Sequence, residues 1–244
     1  MSTTMKVLIK KDWRLLRPLL ITTVGLTTAP YLLTAIKTAV NNMTGLSESR
    51  RNEWRDLIQT GSGVGLLFGL VMCAVFGGVM FALERERNWA DFLNLLPPSR
   101  AQILRSKLFL MGICFIVSIV PNIAVETLAQ AMEDQIKYHF DDTRYWPWLI
   151  DLAFVPITVL TSALFCLGVA WFFSSLHRSA VICAGIAIVA FGLSAVTLFG
   201  FAPMRWNVGS LWTFAEQFWI VFTFSVGIAA LIGGSIHYLR RVEP

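Results

Sequence analysis

The chain has 244 residues, of which 56% are hydrophobic and 14% charged, with a formal net charge of +5. A soluble domain carries roughly 25% charged residues, so water is not the main solvent of this protein. The positive balance reads as an anchoring signal toward anionic lipid headgroups rather than as a nucleic-acid surface.

The chain opens on an amphipathic segment, residues 1–17. Met5, Leu8, Ile9, Trp13, Leu15 and Leu16 share one broad helical face, and Lys6, Lys10, Arg14 and Arg17 line the other. The pattern predicts an interfacial helix on the inner leaflet that turns upward near Pro18, with Asp12 interrupting the apolar arc and tilting toward water or meeting a partner. Six runs without Asp, Glu, Lys or Arg follow, at 18–36, 60–83, 108–125, 152–176, 179–204 and 217–239. Each matches the roughly 17–25 residues a helix needs to cross a bilayer. The alternation of a membrane β-barrel is absent, so the spans are predicted as α-helices that satisfy their own backbones. The reading is an all-α membrane protein with six transmembrane helices in one polytopic domain, residues 1–244. The first run lacks an early small-residue cleavage site and exceeds a signal-peptide core, so it is expected to be retained.

Between the first two runs, Ser47 to Ile58 reads as a short external helix with Trp54, Leu57 and Ile58 as its membrane-seeking residues. Down the second run, Gly61, Gly65, Gly69, Cys73 and Gly77 repeat every four residues, a small-residue stripe that serves close packing inside one bundle or, less commonly, a dimer seam. The loop Thr127 to Tyr145 carries Glu133, Asp134, His139, Asp141 and Asp142 and reads as a solvated acidic loop rather than a cation site. Cys73, Cys114, Cys166 and Cys183 lie inside runs without CxxC spacing, which indicates packing and neither disulfides nor zinc. If both termini are cytoplasmic, thirteen of the twenty Lys and Arg residues fall on that side, which favours this orientation.

The island between the second and third runs, Glu84 to Lys107, holds two devices. Trp89, Phe92, Leu93 and Leu96 form one apolar stripe at helical spacing, which Pro97-Pro98 stops. Ser99 and Gln102 then have the form of a capping box, so the next helix is predicted to start at about Arg100, with Arg100, Arg105 and Lys107 snorkelling to the inner interface.

Glu84 at the end of the second run, the amphipathic stretch, then Leu-Leu-Pro-Pro-Ser-Arg (95–100) with Lys107 seven residues beyond Arg100, resembles the membrane subunits of ABC-2 type exporters. The resemblance extends to Lys11-Asp12-Trp13-Arg14 in the opening helix and to six spans with cytoplasmic ends. It implies a coupling helix over 84–98 that docks on a separate ATP-binding subunit, with Glu84, Arg87, Trp89, Phe92, Leu93 and Leu96 as coupling residues. It also implies a multi-pass protein of the inner membrane, paired with a second copy or a related permease. ATP and Mg would sit on the partner chain. The short stretch Gly200 to Ser210 implies that external re-entrant helices are reduced.

No G-x-x-x-x-G-K-[ST] loop and no G-x-S-x-G nucleophile motif occurs, so the chain is expected to be a transport subunit without its own ATPase site or cofactor. Phe68, Phe76, Phe191 and Phe199 are candidate pathway residues between paired second and fifth helices, suited to a lipid-like, peptide or drug-like cargo moved outward by alternating access. The alternative is a self-contained secondary transporter or channel, in which Glu126, Asp151 and Glu216 face a pathway.

Overall fold

The computed structural model describes residues 3–44, 50–86, 99–138, 145–197 and 209–240. Six helices follow in order: α1 (Thr3–Thr44), α2 (Arg50–Glu86), α3 (Arg100–Tyr138), α4 (Tyr145–Leu176), α5 (Ala180–Ala195) and α6 (Gly209–Arg240). No strand occurs among the described residues, in keeping with the all-α expectation.

Among the described residues, five helices contain windows long and apolar enough to cross a membrane: Leu16–Lys37, Gly61–Ala82, Arg100–Leu128, Pro156–Leu176 and Gln217–Arg240. Of the fifth apolar run, expected over 179–204, residues 198–204 lie outside the described part. Its helix, α5, has 16 residues, about 24 Å at 1.5 Å per residue, against the roughly 30 Å of a hydrocarbon core. A wider turn at Val196 and Thr197 follows it, and residues 198–208 lie outside the described part.

The other helices outrun their apolar windows. α1, α2 and α3 have 42, 37 and 39 residues, roughly twice the length a hydrocarbon core requires. Residues from Arg50 onward, expected as part of a separate short helix, are instead the first turns of α2, and the expected loop after Thr127 continues as α3 to Tyr138. Loss of charge marks where the solvent changes, but a helix ends only where its backbone is stopped. Ala129 to Tyr138 contains neither Pro nor Gly, and its Ala, Gln, Glu and Met residues favour the helix.

The turn expected near Pro18 is also absent, because α1 passes through both Pro18 and Pro30. Each proline removes one backbone hydrogen bond, a cost that a membrane helix tolerates where side chains satisfy neighbouring carbonyls. The carbonyl that Pro18 leaves without its helical donor is that of Arg14; Thr22 Oγ1 adds a side-chain hydrogen bond to the Pro18 carbonyl itself, at 2.9 Å. One line of the helix is buried throughout: Leu8, Asp12, Leu16, Leu20, Thr23 and Thr27, spaced three or four residues apart. Asp12, expected to turn toward water or a partner, is 6% exposed within this seam.

α2 and α4 form the middle of the bundle, with 61% of each apolar window buried against 24% for α1 and 22% for α6. α2 packs on α1, α3, α4 and α5, while α4 packs on α2, α3, α5 and α6. The main core joins Leu16, Phe76, Phe81, Leu110, Leu167 and Trp171, and a second cluster joins Phe165, Val169, Ala184 and Ala187. Trp219 Nε1 donates to Ser162 Oγ at 3.2 Å, which ties α6 to α4 inside the bundle.

Candidate functional site

The start of α1, the end of α2, the start of α3, and the ends of α4 and α6 meet at one end of the bundle, the end that carries Lys10, Arg14, Arg17, Arg100 and Arg105. The chain leaves this end at Glu86 and re-enters it at Ser99. Arg87, Trp89, Phe92, Leu93 and Leu96 lie between these points, outside the described residues. Glu84 belongs to the last turn of α2.

The re-entry is built as the sequence predicts. Gln102 N–H donates to Ser99 Oγ at 3.3 Å, and Ser99 N–H donates to Gln102 Oε1 at 3.2 Å. The reciprocal pair satisfies two amide donors that the helix start leaves open and fixes where α3 begins.

Seven residues on, Lys107 departs from expectation. It does not snorkel to an interface: it is 2% exposed and donates from Nζ to the Met80 carbonyl of α2. The same ammonium lies 5.3 Å from the centre of the Phe81 ring, a distance at which a cation is attracted to the π face. Phe81 in turn packs on Trp171 of α4 and stacks on Tyr238 of α6, with both ring centres 4.5 Å away. On the other side, Tyr238 closes a small cluster with Leu8 of α1 and Ile103 of α3. Five helices are thereby joined through a chain of contacts around Phe81.

Trp171 is wholly buried, and its indole N–H has no acceptor among the described residues. Gly234 of α6 makes room for this indole, since a Cβ there would come within 2.7 Å of Trp171 Cδ1. Two turns from the end of α2, Gly77 and Gly78 do the same for backbones. A Cβ on Gly77 would strike the Leu167 carbonyl of α4, and one on Gly78 would lie 2.8 Å from the Ala180 carbonyl of α5.

The glycine stripe therefore faces the protein's own bundle. Gly61 abuts Tyr31 of α1, Gly65 abuts Asn122 of α3 and Thr27 of α1, and Gly69 abuts Ser118 of α3. Packing within one bundle, the first of the two expected uses of the stripe, accounts for these positions. Where Gly65 opens the seam, Tyr31 O–H donates to Asn122 Oδ1 at 3.1 Å, and Ser62 O–H donates to Glu126 Oε2. Glu126 is thus held between helices at the far end from Lys107.

Among the described residues, the candidate pathway phenylalanines Phe68, Phe76 and Phe191 do not form one wall. Phe76 is fully buried in the main core. Phe68 is half-buried on α2. Phe191 packs on Phe165 and Trp219, with ring centres 6.1 and 5.5 Å apart. Phe199 lies outside the described residues. Sequence reasoning missed Lys107 as an interior residue although a signal was present. Lys107 shares the three-and-four spacing of Leu110, Cys114, Ser118 and Asn122, all of which are buried.

A bundle of long apolar helices drawn together at one basic end defines a multi-pass helical membrane protein. Residues 13–192 match the family model described as ABC-2 family transporter protein, and the chain belongs to that family: it is an ABC transporter permease. The match contains the whole of α2, α3 and α4, together with segment 87–98. Neither the curated proteins nor the solved structures gave a match.

Proposed function

We propose that this chain is the membrane subunit of an ATP-driven exporter that pairs with a second copy and with two separate ATP-binding subunits. The observation that carries the reading is the family match, which spans the segment leaving α2 at Glu86 and re-entering at Ser99, above a knot joining five helices. Families of this kind work with an ATP-binding chain, and no phosphate-binding G-x-x-x-x-G-K-[ST] loop occurs here. ATP and Mg belong to the partner in this reading. Residues 84–98 act as the coupling helix, with Trp89, Phe92, Leu93 and Leu96 seated on the partner. The basic end faces the cytoplasm, as the distribution of Lys and Arg favours. The cargo is hydrophobic or amphipathic and leaves by alternating access.

The second reading is an ion-driven transporter, favoured by Glu126, a carboxylate hydrogen-bonded to Ser62 within an apolar span. Purification of the tagged chain tests the first reading against the second. The exporter reading expects a co-purifying chain that binds and hydrolyses ATP, and flux in vesicles that requires ATP. Nucleotide-independent flux by the chain alone, driven by a proton or sodium gradient, supports the second.

A further inference from the structure

We infer that Lys107 is a positioning residue that locks the end of α2 to the start of α3, so that a displacement of segment 87–98 moves both helices as one body. The inference rests on the exporter reading and names the residue that performs its central step.

Burying an ammonium is costly, and an apolar side chain of the same length would fill the space without that cost. Lys107 is nevertheless 2% exposed. Its Nζ donates to the Met80 carbonyl, the carbonyl that also accepts the helical hydrogen bond from the amide four residues later, at Glu84. Lys107 comes two turns after the cap at Ser99, and Met80 lies six residues before α2 ends at Glu86. The contact therefore spans the base of the excursion from Glu86 to Ser99. Farther along, the two helices pack through Gly65 on Asn122 and Gly69 on Ser118; Lys107 adds a polar tie at the end nearest the 87–98 segment.

The second half of the linkage is Phe81. Lys107 lies over one ring that also touches Trp171 and Tyr238. Motion of the locked pair is passed through that ring to α4 and α6, which are far apart in sequence from the coupling segment.

The test uses the complex of this chain with its co-purified ATP-binding subunit. Cys73, Cys114, Cys166 and Cys183 are buried, so a thiol-reactive fluorophore is directed to a cysteine introduced at Leu67, which is 61% exposed on α2. Its emission is recorded before and after ATP with vanadate, alongside thermal melting and ATP hydrolysis. The expected result for Lys107→Met is a complex that assembles, melts within a few degrees of wild type and hydrolyses ATP, while the emission change falls about fivefold or more. Lys107→Arg, which keeps the charge and the donor, restores most of the change. A wild-type emission change in Lys107→Met overturns the inference. So does a loss that tracks a lowered melting temperature, because Lys107 is then only a structural pin. Absence of any ATP-dependent change in a wild-type complex that hydrolyses ATP overturns this inference alone, whereas failure of any ATP-hydrolysing chain to co-purify refutes the exporter reading, and this inference with it.

Discussion

Gly168 of α4 and Gly227 of α6 touch backbone to backbone: a Cβ on Gly168 would land on the Gly227 carbonyl, and one on Gly227 would lie 2.9 Å from the Leu164 carbonyl. Backbone cannot yield as a flexible side chain does, so no larger residue fits at this crossing without separating the helices. Gly168→Leu and Gly227→Leu are expected to lower the yield of folded protein several-fold, with a cost of more than about 3 kcal/mol, beyond ordinary overpacking. Gly185→Leu serves as the control, since nothing lies within 4 Å of a Cβ there. Size-exclusion profiles in detergent would decide, and a wild-type profile for Gly168→Leu would show that α4 and α6 do not cross here.

The glycine stripe on α2 makes a related prediction with a different signature. Gly69→Leu would place its side chain against the Ser118 carbonyl, 2.8 Å from a Cβ. Because the neighbour belongs to the same chain, the damage is expected in monomer stability, by about 1–3 kcal/mol or more. Thermal melting of the purified chain checks this. A variant that melts normally yet loses only its second copy would return the stripe to a dimer seam.

Between α1 and α3, Tyr31 donates to Asn122. Hydrogen bonds between membrane helices contribute about 0.6–2 kcal/mol, so Tyr31→Phe and Asn122→Leu are each expected to lower stability by about that amount. The double variant should cost less than the sum, as partners in one interaction do. Strict additivity in melting experiments would show that the two side chains do not interact.

The order of helices, their apolar faces and the cap at Ser99 were legible because each follows from local chemistry: a run without charge, a three-and-four spacing, a Ser-x-x-Gln pattern. What depends on neighbours was not. Lys107 at the edge of an apolar run reads as a snorkelling cation, but the Met80 carbonyl and the Phe81 ring, supplied by another helix, draw it inward. Pro18 reads as a turn, yet the bundle face carried by Leu8, Asp12, Leu16 and Leu20 continues across it. Phe76 and Phe191 have the same composition-level claim to a pathway, but one is sealed in the main core and the other packs on Phe165 and Trp219. A helical wheel of α3 would have raised Lys107. The Gly168 and Gly227 crossing joins residues far apart in sequence, with no stripe to announce it.

Orientation is open to direct chemistry. With the four native cysteines buried, single cysteines introduced at Asn94 and Arg241 are expected to resist an impermeant thiol reagent in intact cells. Those introduced at Glu53 and Asp141 are expected to react. Labelling at Asn94 from outside would reverse the assignment of the basic end to the cytoplasm.

The central claim is that segment 84–98 docks on an ATP-binding subunit, and Phe92→Asp measures it most directly. A carboxylate placed in an apolar groove is left without a partner and loosens the contact, whereas Glu84→Ala or Arg87→Ala should leave the complex assembled and weaken its communication. The measurement is retention of the ATP-binding subunit by tagged, membrane-inserted Phe92→Asp permease, compared with wild type in the same detergent. The account predicts that the variant inserts and pairs normally but loses the ATP-binding subunit and ATP-dependent transport. Full retention with wild-type transport would contradict it.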